Sequence, residues 1–250
     1  MIKIKDLPAP AELTDELIKH LTAEFKATNN PVWKKVYISK QLLAMSEGKC
    51  CFSECKLVEE GKYLEVEHFY PKSIYPDEVL KWENLLPISS AVNKAKLDHD
   101  TKIESIINPR FDDPKKHLAF RAYRFKGKDE IGNKTVEVLN LNDTNLWVKK
   151  RFEIGNDAVE RLEDISKDLE EYDGSINKTT YKKNQIIRKL RNLLHEGTPK
   201  AEYSAVVASY LLHDNDYNII KNLLIKNDLW DDEFKELEQQ LKFCALDVIS

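Results

Sequence analysis

Five apolar stripes at helical spacing follow one another between Val159 and Leu241, and they commit the second half of the chain to a helical domain. Val159, Leu162, Ile165, Leu169 and Tyr172 form the first, which stops at Gly174. Ile186, Ile187, Leu190, Leu193 and Leu194 form the second, ending before Gly197. Tyr203, Val206, Val207 and Tyr210, then Ile220, Leu223 and Leu224, then Phe234, Leu237 and Leu241 complete the series. The chain also opens helically. Leu13, Leu17, Ile18, Leu21 and Phe25 share a face behind Thr14, Asp15 and Glu16, which favour a helix N-terminus. A second helix is predicted from the cap-like pair Asn30-Pro31 to Gly48, with Trp33, Val36, Tyr37, Lys40 and Ala44 down one face.

Between these helical ends the periodicity changes. Tyr63 to His68 alternates loosely between Gly61 and Pro71, as a short strand does. A loop with Pro71 and Pro76 follows, then a second short strand over Asn84–Ile88. Ser89-Ser90 offers a cap for a helix from Ala91 to Leu97. The order is strand, loop, strand, helix. Further on, Phe120 to Phe125 and Thr135 to Leu139 flank a polar turn with Gly127 and Gly132, which predicts a hairpin. The expected fold class is therefore α+β, a mainly helical chain with a small strand–strand–helix core and an added β-hairpin. Its expected divisions are 1–48, 49–108, 109–142 and 143–250.

Composition narrows the partners. With 39 Lys and Arg against 43 Asp and Glu, the formal net charge is -4, so any phosphate-binding surface must come from local clustering. Four cysteines, three crowded at Cys50, Cys51 and Cys55 and one at Cys244, do not make a disulfide framework for 250 residues. No apolar run approaches a membrane span, and the opening Met-Ile-Lys-Ile-Lys-Asp-Leu-Pro has no signal-like core. A cytoplasmic protein with reduced thiols is expected.

Four residues of the strand–loop–strand–helix stretch carry chemistry: Glu67, His68, Asn84 and Asn93. Phosphodiester hydrolysis needs an activated water, a cation to neutralise charge on the phosphate, and groups that fix both. A His beside a carboxylate at a strand end can place an imidazole next to a metal. Successive strand side chains diverge, so Glu67 and His68 serve one site only if the strand ends or twists there, which Pro71 favours. Asn93, in the first turn of the following helix, can complete an oxygen coordination, and Lys94 and Lys96 add positive charge. Taken singly, His68 reads as a strand-end histidine, and Asn84 and Asn93 as turn and cap residues.

Their joint order resembles the signature of the HNH (ββα-metal) endonuclease family: Glu65-Val-Glu-His68, Pro71-Lys-Ser73, Trp82-Glu-Asn-Leu-Leu86 and Asn93-Lys-Ala-Lys96. The match spans roughly residues 49–108. The resemblance implies a ββα-metal nuclease core using Mg²⁺ or Mn²⁺. In it His68 is the general base, Glu67 the acidic metal ligand (usually Asp), Asn84 the brace of the loop and His, and Asn93 the residue completing the metal site. Ile106-Ile-Asn-Pro109, Asp113-Pro114, Lys116-His-Leu118 and Leu139-Asn-Leu141 are similar to one HNH subfamily. Its members are the nuclease subunits of Septu-type and retron-associated anti-phage systems, which work with an SMC/ABC-like ATPase.

One feature departs from the family pattern. Many relatives hold a structural zinc with two Cys-x-x-Cys pairs, which align here as Cys50 with Ser53 and Ser89 with Val92. Ser and Val cannot supply thiolates, so a structural zinc is not expected. Cys51 and Cys55 are either recruited instead or are buried thiols packed beneath the site. For nucleic acid, Lys94, Lys96, Arg110, Lys115, Lys116, Arg121 and Arg124 are the candidate contacts. Lys178, Lys182, Lys183, Arg188, Lys189 and Arg191 make a second basic stretch, following an acidic one from Glu160 to Glu171. These two are either complementary faces of a helical hairpin or a surface for phosphates. Whether the substrate is DNA or RNA is left open by the sequence. The alternative function is a catalytically silent HNH-like binding subunit whose helical half docks a partner protein.

Overall fold

The computed structural model describes residues 1–57 and 64–249; Gly61 and Tyr63, where the first strand was expected to begin, lie outside the described residues. The chain is mixed α+β and mainly helical, and it divides into two compact units. One comprises Met1, residues 3–117 and 126–142; the other comprises Ile2, residues 118–125 and the chain from Asp143 onward.

In the first unit, α1 (Asp15–Thr28) starts where Thr14 accepts the Leu17 N–H at 3.3 Å, and it ends at Asn29, which takes the left-handed φ of 58°. It buries Leu21 and Phe25. The second helix, α2 (Val36–Met45), begins at Lys35 rather than at Asn30-Pro31. Residues 30–35 are instead tight turns, with the Val32 N–H on the Asn30 carbonyl and the Lys35 N–H on the Trp33 carbonyl. The buried face of α2 is Ile38, Leu42 and Met45, which leaves Val36 85% exposed. The expected Trp33–Val36–Tyr37 face is thus incorrect, because Trp33 is drawn into an aromatic contact of its own.

Strands β1 (Leu64–His68) and β2 (Leu85–Ser89) pair antiparallel, with Leu64 opposite Ser89 and His68 opposite Leu85. Their connection contains two 3-10 turns, Pro76–Glu78 and Trp82–Asn84, so Asn84 precedes the second strand rather than opening it. All five residues of β2 are buried, and α3 (Ser90–Lys96) packs on both strands. The short α4 (Pro114–His117) follows.

The expected hairpin of Phe120–Phe125 with Thr135–Leu139 is not formed; a different, shorter one turns inside the expected first strand. Strands β3 (Leu118–Arg121) and β4 (Arg124–Gly127) are joined by Ala122 and Tyr123, both at positive φ, 45° and 62°. Thr135–Leu139 is not its second strand, because Glu130–Val138 forms α5. Asp129 caps that helix by accepting the Gly132 N–H at 2.8 Å, with Glu130 in the first turn. This N-terminal signal outweighs the β-branched residues behind it.

In the second unit, the helices are α6 (Lys149–Gly174), α7 (Thr180–His195), α8 (Ser204–His213), α9 (Asn215–Lys226) and α10 (Asp232–Cys244). Here α6 lies against α7, α8 and α9, and α8 also meets α10. The central position of α8 follows from its sequence: Ala205, Val206, Val207, Ala208 and Leu211 are all buried, so it is apolar nearly all round. A final strand, β5 (Asp247–Val248), pairs in parallel with β3. Among the described residues no helix is long and apolar enough to cross a membrane.

Candidate functional site

The end of β1, the loop after it and α3 carry the sequence-selected residues, with the carboxylates and the imidazole on opposite faces of the strand. Residues two apart on a strand share a face, which puts Glu65 and Glu67 on one side of β1 and His68 on the other. Glu67 is buried, and its Oε1 lies 2.6 Å from Lys96 Nζ, reaching back from the last turn of α3. Burial raises the Glu67 carboxyl above its ordinary range, and the Lys96 ammonium opposes that shift. One helical turn before Lys96, the Asn93 amide donates to Glu65 Oε2. Sequence reasoning gave Glu65 no role of its own; the two-residue strand period was the signal that could have found it.

His68 is 4% exposed, and its Nε2 lies 2.9 Å from the Val79 carbonyl. A carbonyl can only accept, so Nε2 carries the hydrogen and Nδ1 keeps the lone pair in the neutral ring. Burial first, then the Lys72 charge, depress the imidazole to about 3, against the pull of the Val79 bond. The ring also stands edge-to-face with Trp33, centroids 4.7 Å apart. Trp33 is a second residue that sequence reasoning missed as part of the site.

Asn84, fully buried, braces this arrangement. Its Oδ1 accepts the Tyr70 N–H at 2.6 Å, while its Nδ2 donates to the Tyr70 and Glu78 carbonyls, both at 3.1 Å. It thereby ties the residues after β1 to the 3-10 turn that delivers the Val79 carbonyl to His68. The Phe69 N–H on the Asn84 carbonyl, at 2.9 Å, adds a backbone tie.

Two expected phosphate contacts need correction. Lys96 is buried, with its ammonium taken by Glu67 and, at 3.2 Å, by the His68 carbonyl. Arg110 has a 3% exposed side chain bonded to Asp6 at 2.6 Å and to the Trp82 carbonyl at 2.7 Å. Both are structural cations, because a buried charge must be paired where it lies. Lys94 and Lys116 are exposed and Lys115 is half-buried. Arg121 and Arg124 are exposed residues of the second unit. In the α6–α7 hairpin, Lys178 pairs with Asp173, Lys182 with Glu171 and Lys189 with Asp168, at 3.3, 2.9 and 2.8 Å. Half of that basic stretch therefore faces its acidic neighbour.

Beneath the site, Cys50, Cys51 and Cys55 are buried thiols. The Cys50 N–H bonds the Cys55 carbonyl at 2.9 Å, and Ser53 Oγ donates to Cys55 Sγ at 3.3 Å. The turn is fastened further by Glu54, which takes the Met1 ammonium at 2.6 Å and Lys49 at 3.6 Å. Burial raises the Cys51 thiol far above its ordinary range, and the nearby Cys50 and Glu67 add to the shift.

Among the described residues, no three His, Cys, Asp or Glu side chains converge as a metal site. The available donors are oxygens: two carboxylates on one strand face and the amide of Asn93. That set suits a hard divalent cation completed by water or phosphate oxygens, and it does not suit a tetrahedral zinc.

The fold and site define a class: a mainly helical α+β protein in which a strand–strand–helix frame holds a buried imidazole, a carboxylate pair and two asparagines. The chain belongs to the Septu PtuB family. It is 43% identical over 237 residues to a Septu protein PtuB of Bacillus thuringiensis, covering 95% of this chain and 92% of the relative. A Septu protein PtuB of Bacillus mycoides (strain KBAB4) is 27% identical over 262 residues, covering 83% of this chain and 88% of the relative. No family model and no solved structure matches the chain.

Proposed function

We propose that this chain is a metal-dependent endonuclease of the HNH type that hydrolyses nucleic-acid phosphodiester bonds. A role in anti-phage defence follows from membership in the Septu PtuB family. The observation that carries the nuclease reading is the His68 imidazole, fixed by the Val79 carbonyl with Nδ1 as its lone-pair nitrogen. Such a nitrogen takes a proton from an attacking water without first having to lose one. Asn84 keeps the loop, and so the imidazole, in place. Glu67 and Asn93, with Glu65 beside them, would hold Mg²⁺ or Mn²⁺. When bound, the cation would neutralise charge on the phosphate and stabilise the leaving oxygen. In the defence complex the chain acts as the effector nuclease beside an SMC/ABC-like ATPase.

One observation favours a silent binding subunit instead: the Glu67 carboxylate is already matched by Lys96. Chelation separates the two readings. Purified chain, with and without its native partner, is incubated in Mg²⁺ with plasmid and with total tRNA. Cleavage of either that stops on adding EDTA supports the nuclease; intact substrates in every arm leave the binding subunit as the better account.

A further inference from the structure

Several cations around the site are already paired. Lys96 is held by Glu67 and Lys102 by Glu78, and Arg110 is held by Asp6. Lys72 makes no ion pair among the described residues. Its ammonium lies 5.2 Å from the centre of the Trp33 ring, the same indole that meets the His68 imidazole edge-to-face. Two side chains of the β1 end are thus seated on one aromatic residue. Lys72 acts electrostatically on both Glu67 and His68, so its charge is felt where the reaction would occur.

The backbone beneath Lys72 is fixed. The Ile74 and Tyr75 N–H groups both bond the Pro71 carbonyl, at 3.0 and 2.8 Å, and Asn84 pins Tyr70 on the other side. A lysine with an anchored main chain, a half-buried stem and no carboxylate is poised for an anion that the protein itself does not supply. An indole face attracts an ammonium but leaves its remaining N–H donors unsatisfied.

We propose that Lys72 binds a non-bridging oxygen of the scissile phosphate, and that Trp33 is a positioning residue that seats Lys72 and His68 together. The inference rests on the nuclease reading. The phosphate gains negative charge as water attacks, and an ammonium placed there beforehand stabilises that charge more than the ground state. Trp33 acts through the other two: without it the ammonium and the imidazole each lose a wall.

The test measures kcat and KM for Mg²⁺-dependent cleavage by the full chain, assembled with its partner if cleavage requires it. The variants are Lys72→Ala, Lys72→Arg, Trp33→Ala, the double Trp33→Ala/Lys72→Ala, and His68→Ala as reference. Lys72→Ala should lower kcat by about 10²-fold, as loss of one charge-stabilising donor does, with a smaller change in KM. Lys72→Arg should recover most of that loss. Because Trp33 also seats His68, the double variant should fall below Lys72→Ala, but by less than the product of the two single losses, since part of the Trp33 effect runs through the same lysine. A loss equal to that product would overturn the seating of Lys72 by Trp33. If Lys72→Ala cleaves at the wild-type rate while His68→Ala is dead, the inference fails and the nuclease reading stands. If Arg at 72 is no better than Ala, the charge role fails too. If His68→Ala cleaves as fast as wild type, the nuclease reading itself fails.

Discussion

Asn84 satisfies three backbone groups with one amide, and it does so at zero exposure. Asn84→Asp keeps the shape but turns a donor towards two carbonyls into a buried carboxylate oxygen facing them. The substitution should destabilise the fold by about 3–5 kcal/mol, read from urea unfolding, because a buried charge is left without a counter-charge and faces two carbonyls. His68 makes a different prediction. Its folded value near 3 lies below the ordinary 6.5, so between those values the unfolded chain binds the proton more readily. Its contribution to stability is complete above about 6.5 and is lost as pH falls towards 3. Glu67 runs the other way: its raised value penalises the fold at neutral pH, and the penalty is relieved as pH falls through that value. Unfolding midpoints followed from pH 7 downward should therefore fall less steeply in His68→Asn than in wild type. The order Glu67, His68, Asn84, Asn93 made these residues legible in the sequence. Trp33, Val79 and Lys72 were not legible as partners, because an aromatic contact, a carbonyl and a missing counter-charge exist only once the loops close.

Gly155 is the clearest case at the level of elements. It sits inside α6, where glycine ordinarily costs about 1 kcal/mol relative to alanine. A Cβ built there would meet Tyr123 Cε1 at 2.6 Å, and that ring is stacked on Tyr210 with centroids 4.1 Å apart. Gly155→Ala should therefore lower the thermal midpoint, reversing the usual helix substitution; a raised midpoint would show that Tyr123 moves aside freely. The helices of the second half were legible because each carries apolar residues at helical spacing, and the first two stop at Gly174 and before Gly197. The start of α2 and the second half of the expected hairpin were not. Pro31 mimics a helix start while the chain is still turning, and the Asp129 cap decides residues 130–138 over their β-branched content.

At the scale of the whole molecule, a net charge of -4 coexists with basic stretches whose partners lie within the protein. The α6–α7 pairs are partly exposed, so each is worth about 0–1 kcal/mol and is weakened by salt. Lys189→Ala should accordingly cost less than about 1 kcal/mol and leave cleavage unchanged. A larger loss of cleavage than of stability would instead assign that helix to the substrate. Composition gives only the overall balance of charge, while the internal use of Lys96 and Arg110 could be seen only after folding. The role of His68 is read from the Mg²⁺-dependent cleavage rate of His68→Ala beside wild type, at equal concentration and with matched circular dichroism. If His68 is the general base, the rate falls by at least about 10²-fold with the fold intact. Equal rates for the two proteins would mean that His68 is not the base and that this chain is not a nuclease of the HNH type.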